Sequence, residues 1–479
     1  MQQSIKPYRR KALTFESIFI HTPGVIIAMV AGVSGNIDET KFVVAVKKLV
    51  DLYPILRSKL TWDKYNEEWI EETKFELPIR IVPRISEEYW KRVFEESWNY
   101  PIDLENGPFY EFILVRSDSK SEIIFRAHHM MTDGRSMSKI LDLVLRFMNN
   151  PDMVIETASD DEELPNGKNL KKSIRPKLTL KQKIQNTWDS FLFPLISFIW
   201  KTTKLKIPKE DLIKSYNLYL DYFKHLMLID EFSEEETSAF IKICKKHDVT
   251  VNTAMATAFL ACRREIDLKH ENNKQFVSVD LRRHLGEKAK KSISCYASTL
   301  TTNFIYDTSK PFWENASNYQ KIIRTDLNAC AESTHVINFS HLPSSFIWAT
   351  ALSGRMQGVP NSYKDHPYFK WLGPKSISLA AIFTRVSSKF GPSFTITNIN
   401  TGNFTYDYGD LKLESCIMSP SFVIYPPFSI LLSVVTINKK ITISFHTANN
   451  IKDPDTNYEK TMNDIKVRYK EFITKDIFK

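Results

Sequence analysis

The sequence predicts a mixed α/β protein (α+β layered) built as two units, and three observations carry that expectation. At 479 residues, and with a prior of one domain per ~150 residues, the chain is too long for a single small core. Apolar runs of strand length alternate with amphipathic helical stripes in both halves. Between the halves, residues 149–187 are polar, Pro-containing and poor in apolar side chains, which reads as a linker. The expected division is therefore 1–150, then a linker and amphipathic segment over 151–210, then 211–479. A 43% apolar content with 31 Phe needs burial, so disorder over most of the chain is excluded.

The first unit opens on Val25–Val33, an uninterrupted apolar run of nine residues. A membrane helix needs about 20, and the run lacks a small-residue cleavage pattern after the basic Met1–Lys11 stretch, so a buried strand is expected. Asp38 can cap a following helix whose apolar face is Phe42, Val43, Val46, Leu49 and Val50. Pro54 ends that helix within Tyr53-Pro54-Ile55-Leu56-Arg57. Two short strands, a helix near Glu87–Glu96, and paired strands at Tyr110–Val115 and Glu122–Ala127 follow. From Ser136 an amphipathic helix carries Ile140, Leu141, Val144, Phe147 and Met148 on one stripe.

The second unit begins with a strand at Lys224–Ile229 and a helix capped at Ser233-Glu234-Glu235-Glu236. An Ala-rich helix spans Ala254–Cys262, and Phe276–Val279 is a strand running into Asp280-Leu281-Arg282. Strands at Phe394–Asn398, Phe428–Ile437 and Lys440–His446 close the chain, the last two as a hairpin through Asn438-Lys439.

The net charge of +9 is mild over this length, with no block of six like charges, so nucleic acid is not an expected partner. Five widely spaced cysteines (Cys244, Cys262, Cys295, Cys330, Cys416) without a CxxC point to a reducing, cytoplasmic compartment and to buried, inert thiols. Neither a metal nor a nucleotide is indicated, and no G-x-S-x-G elbow supports a hydrolase. Trp188–Trp200 is dense in aromatics, flanked by lysines and interrupted by Pro194. One reading is a helix packed over a groove; the sharper one is a peripheral membrane contact through residues 188–206.

One motif carries chemistry. His128-His129-Met130-Met131-Thr132-Asp133-Gly134 fits H-H-x-x-x-D-G, in a chain with only 11 His and 13 Gly, and lies between a strand and a helix, where active-site loops belong. An imidazole near its pKa can take the proton that a hydroxyl or amine loses as it attacks an acyl carbon. The carboxylate of Asp133 can brace the loop on an arginine from elsewhere, and Gly134 permits a left-handed turn out of it. The bland alternative is two packed histidines with Asp133 as a helix cap. Ser136 is expected to cap the following helix rather than act as a nucleophile.

The heptapeptide resembles the signature of the chloramphenicol acetyltransferase-like superfamily, which includes condensation domains, polyketide-associated acyltransferases and alcohol acyltransferases. Ala31-Gly32-Val33, Tyr53-Pro54-Ile55-Leu56-Arg57, Val251-Asn252-Thr253, Val279-Asp280-Leu281-Arg282 and Thr397-Asn398-Ile399 resemble further landmarks of those proteins. The resemblance implies two similar subdomains forming a V with a central tunnel, His129 as general base with His128 beside it, and Asp133 paired with an arginine. Arg282 is the candidate partner, with Arg283 and Arg385 as competitors. It also implies that an acyl-CoA or a phosphopantetheine thioester on an acyl-carrier protein is substrate, that no cofactor is bound, and that a small molecule is the acyl acceptor. Nothing matches the D-F-G-W-G motif of the plant branch, and neither a carrier-type Ser motif nor an adenylation signature occurs, so a free-standing transferase is expected. The rivals are an amide-forming condensation enzyme and a silent homologue that binds an acyl chain or a protein.

Overall fold

The computed structural model describes residues 8–20, 24–62, 68–157, 180–202, 217–218, 220–270, 273–332, 342–343, 345–347, 349–350, 393–399, 404–420, 429–451 and 458–478. Arg385, the part of the expected linker between 158 and 179, and residues 203–206 of the expected membrane contact lie outside the described residues.

The strands are β1 (Arg9–Lys11), β2 (Ile26–Ser34), β3 (Ser58–Trp62), β4 (Glu68–Glu72), β5 (Ile79–Pro83), β6 (Tyr110–Arg116), β7 (Lys120–His128), β8 (Phe223–Phe232), β9 (Lys274–Asp280), β10 (Ala297–Asn303), β11 (Phe394–Ile399), β12 (Asp407–Tyr408), β13 (Leu411–Pro420), β14 (Ile430–Ile437) and β15 (Lys440–Asn450). The helices are α1 (Thr14–Ile20), α2 (Glu39–Leu52), α3 (Tyr89–Ser97), α4 (Gly134–Asn149), α5 (Leu180–Thr202), α6 (Glu234–Lys246), α7 (Val251–Ile266), α8 (Arg282–Lys291), α9 (Phe312–Asn328) and α10 (Glu459–Thr474).

These elements form two units that are not contiguous in sequence. Unit 1 comprises Met1–Ser173, Asp280–Ala297 and Asn400–Pro420; unit 2 comprises Ile174–Val279, Ser298–Ile399 and Ser421–Lys479. A division drawn along the sequence at 150 and 210 has no place for the two later excursions into unit 1. Asn400–Pro420 joins it because β13 pairs with β2, nearly 380 residues upstream at Lys412↔Ser34, and Asp280–Ala297 is tied to it through Arg282 and Tyr296 on Asp133 and Ser294 on Glu16.

Unit 1 holds a six-stranded sheet in the order β12-β13-β2-β7-β6-β5 and a small sheet, β1-β4-β3. The central strand β2 is buried on both faces along almost its whole length, which explains its continuous apolar run. At its bulged junction with β13, a Cβ at position 32 would lie 2.4 Å from Ser415 Oγ, so any larger residue there requires the Ser415 side chain to turn away. Helices α2 and α4 pack their stripes on this unit's core, with Phe42, Val46, Leu49, Ile140, Leu141 and Val144 all fully buried. Asp38 caps α2 by accepting a hydrogen bond from the Lys41 amide at 2.8 Å.

Unit 2 holds a sheet in the order β10-β9-β11-β14-β15-β8. Strand β11 runs parallel to β9 and β14, and the β14–β15 hairpin turns through Asn438 and Lys439, both with positive φ, as a tight two-residue turn requires. Helices α7 and α10 supply the core of this unit, and Ser233 and Glu236 close a reciprocal capping box on α6.

Candidate active site

Strand β7 ends at His128, held opposite Ile26 of β2. The His128 amide donates to Phe109 O and the His129 amide to Val25 O, both at 2.9 Å, so the backbone is pinned where it leaves the sheet. His128 is fully buried, and its Nδ1 accepts the Met130 amide at 3.3 Å. His129 is only half-buried. Its Nδ1 lies 2.9 Å from Thr132 O. A carbonyl can only accept, so this bond puts the proton on Nδ1 and leaves the acceptor lone pair to Nε2. Burial pulls the imidazole below its ordinary pKa, against the opposing pull of the Thr132 carbonyl and of Asp133. The ring is therefore neutral near pH 7 and ready to take a proton.

Asp133 leaves the loop in extended conformation and caps α4, its Oδ1 accepting the Ser136 amide at 2.9 Å. Its Oδ2 accepts from Arg282 Nη1 at 2.6 Å and from the Tyr296 amide at 2.8 Å. Burial alone would raise the carboxyl pKa; the Arg282 charge and these hydrogen bonds outweigh it and hold the group below the usual range. Arg282 is 2% exposed and fully used: Nε donates to Ala289 O, and Nη2 donates to Ser136 Oγ at 2.7 Å and to Ser294 O at 2.8 Å. Its guanidinium also sits over the Tyr296 ring, 4.9 Å from the centroid. Asp133 is both the cap of one reading and the brace of the other, and all its oxygens are engaged in holding the loop.

The structure brings His128, His129, Asp133, Gly134 and Arg282 together in unit 1. The expectation that Arg282 would reach Asp133 from the other subdomain is corrected, because Asp280–Ala297 belongs to the same unit as the motif. Arg283 instead donates from Nε to His284 Nε2 at 2.9 Å. Two further expectations are revised. Gly134 is the first residue of α4 and is absent from the positive-φ glycines (Gly35, Gly107, Gly286 and Gly409 among the described residues), because the extended Asp133 makes the turn. Ser136 is not the cap; it sits in the first turn, and its hydroxyl donates to Ser294 O at 2.9 Å.

Sequence reasoning missed what surrounds the base. Phe19 of α1 stacks on the His129 ring, centroids 4.4 Å apart and planes 5° from parallel. One turn earlier, Glu16 is fully buried and fixes α1: its two carboxylate oxygens take bidentate bonds from Arg10 at 2.6 and 2.7 Å, Oε2 accepts the Leu13 amide at 2.6 Å, and Oε1 accepts from Ser294 Oγ at 3.3 Å. No periodicity in the N-terminal sequence signals this. Cys295 places Sγ 3.6 Å from His129 Nδ1, a neighbour its isolated position in the sequence could not reveal. Burial, reinforced by the Asp133 charge, pushes that thiol well above its ordinary pKa, so it stays protonated. Four of the five thiols are buried; Cys330 is half-buried, which corrects the expectation for that one.

Residues 4–145, which contain the whole motif, match the family model of the condensation domain. Over 131 residues the chain is 26% identical to chondramide synthase cmdD of Chondromyces crocatus, a match covering 24% of this chain and 3% of that synthase. Solved structures extend the likeness to the full length. Polyketide synthase associated protein 5 from Mycobacterium tuberculosis aligns with a TM-score of 0.58 at 15% identity, covering 98% of both chains. TRI3 trichothecene 15-O-acetyltransferase from Fusarium sporotrichioides aligns at 0.61 and 14% identity, covering 99% of this chain and 96% of that one. The chain shares its fold with both proteins. The first condensation domain of the CDA synthetase shares it, with a TM-score of 0.62 at 10% identity, covering 99% of this chain and 97% of that domain. The shared fold thus spans both units, while the family-model match lies in the part that carries the motif.

Proposed function

We propose that this protein is an acyltransferase (EC 2.3.1 type) that moves an acyl group from a thioester, of coenzyme A or of a carrier protein, to a hydroxyl or amine. The observation that carries the reading is the Nδ1–Thr132 bond, which presents the Nε2 lone pair of a half-buried, neutral His129 as the base. The acceptor oxygen or nitrogen attacks the thioester carbonyl while its proton passes to Nε2. The tetrahedral intermediate then collapses, the carbon–sulfur bond breaks, and the leaving thiolate takes the proton back from the imidazolium. Asp133 and Arg282 hold the loop and take no proton in this scheme. The thioester is a substrate, and no resident cofactor enters the chemistry.

The condensation-domain match over residues 4–145 favours a second reading, in which an amide forms between two carrier-bound substrates. A silent homologue is the third, and an intact His129 and Asp133 count against it. Mass spectrometry of products formed by the purified protein, given acyl-coenzyme A or an acyl-carrier protein with mixed alcohols, free amines and carrier-bound amines, tests all three. An ester, or an amide of a free amine, from either donor supports the first reading. Amide only when donor and amine are both carrier-bound supports the second, and no product from any pair overturns both.

A further inference from the structure

Helix α5 has two apolar faces, and only one of them is covered. Phe193, Ile196, Ser197 and Trp200 are buried. Trp200 donates its Nε1–H to Ser345 Oγ at 3.1 Å and meets Phe346 edge-on at 5.1 Å between centroids. Trp188, Phe191, Leu192, Leu195, Phe198 and Ile199 fall within an arc of roughly 120° on another side, from the rotation of an α-helix per residue. All six are exposed, Trp188 at 65%, Phe191 at 67% and Phe198 at 68%. Single exposed apolar residues need no account, but six on one helix face make a contiguous patch, and such patches mark interaction sites.

The sequence that contains and flanks α5 is one-sided in charge. Residues 168–209 contain eleven Lys or Arg and one acid, Asp189. Taken from totals of 65 and 56, that leaves 54 basic against 55 acidic residues in the rest of the chain. The excess of +9 is therefore not spread thinly, as the totals alone suggest, but sits in this one segment. Lys183 and Lys201 are exposed near the two ends of α5. No described helix is long and apolar enough to cross a membrane.

We propose that α5 docks on an anionic lipid surface, lying in the headgroup layer with Trp188, Phe191 and Phe198 inserted and the flanking lysines on lipid phosphates. An aromatic and aliphatic face bordered by cations is the composition of an interfacial helix. A second copy of the chain would bring eleven like charges against eleven. Nucleic acid would leave Leu192, Leu195 and Ile199 with nothing to contact, since backbone recognition uses cations and base stacking uses aromatic planes.

Flotation of the full chain with phosphatidylcholine–phosphatidylserine vesicles tests this, with pure phosphatidylcholine as control. The expected result is salt-sensitive binding to the anionic vesicles alone. A triple substitution W188S/F191S/F198S should abolish it without lowering the melting temperature, since these side chains are exposed. The charge reversal K201E/K204E/K206E, which leaves the apolar face intact, should weaken it at least about a hundredfold. No flotation of the unmodified chain overturns the proposal, as does binding that survives the triple substitution. Self-association removed by that substitution, or RNA binding in place of vesicle binding, would assign the face to those partners instead.

Discussion

His129 and its neighbours divide the chemistry so that single substitutions separate their roles. His129→Ala should lower turnover about 10²–10⁴-fold, the range for loss of a general base. His128→Ala should cost less, because His128 is buried at the strand end and holds the Met130 amide. Activity should rise with pH as the imidazole loses its proton, and because burial lowers that pKa, the midpoint should fall below the ordinary ~6.5. Initial rates across pH with saturating donor would locate it; a midpoint above the ordinary value would contradict the desolvated ring. Asp133→Ala leaves the Arg282 guanidinium with Asp280 Oδ1, 3.2 Å from Nη1, as its remaining carboxylate, so the loss should lie at or below the ~3–5 kcal/mol of a buried pair broken outright. Arg282→Ala should cost more, since it also removes the bonds to Ala289, Ser136, Ser294 and Asp280, and the double substitution should fall well short of the sum of the singles, because both remove the shared Asp133–Arg282 pair. Denaturation of all three variants would show it, and additive losses would mean the pair is not coupled. Since the Asp133 pKa is lowered on folding, its contribution is present above the unfolded carboxylate value near ~4 and fades as pH drops below it.

At the scale of elements, α1 is a seven-residue helix that would be marginal alone, and the buried Glu16–Arg10 pair holds it in place. Its consequence for the site is Phe19, which shields one face of the base from water. Phe19→Ala should lower turnover and move the midpoint of the pH–rate profile upward, towards that of a solvated imidazole. The groups around the ring remain in the variant: Asp133 with Arg282, Cys295, His128, and Glu16 with Arg10. Phe19→Tyr, which keeps a ring in place, should restore both. Glu16→Gln should shift the profile in the same direction through the loosened helix, which pH–rate measurements on the variants would check. A fall in turnover with an unmoved midpoint would reduce Phe19 to a packing residue. Helix α4, by contrast, was legible beforehand: its stripe of Ile140, Leu141, Val144, Phe147 and Met148 is all buried. The cap was not, because Asp133 and Ser136 are both good capping residues, and only the backbone shows which one is extended.

Across the whole molecule, the mechanism turns on whether the acceptor attacks the thioester directly. Cys295 lies beside His129 but is buried and held protonated, so no covalent acyl-enzyme is expected. Kinetics should be sequential, with no burst, and intact-mass analysis after incubation with donor alone should find no adduct. Cys295→Ala should keep activity within a few-fold, judged by initial rates. A stoichiometric adduct that acceptor discharges would overturn direct attack. The sequence by itself determined the α/β class, the burial of β2, the stripe of α4 and the strand–loop–helix setting of the motif, because periodicity and local turn chemistry are properties of neighbouring residues. It narrowed the partner of Asp133 to three arginines and could go no further. Only the tertiary structure decided that Arg282 is that partner, that Phe19 covers the base, and that Asp280–Ala297 and Asn400–Pro420 fold with the first unit. Each of these joins residues more than a hundred positions apart, and such pairings are set by how strands find partners in a sheet, which no local pattern encodes.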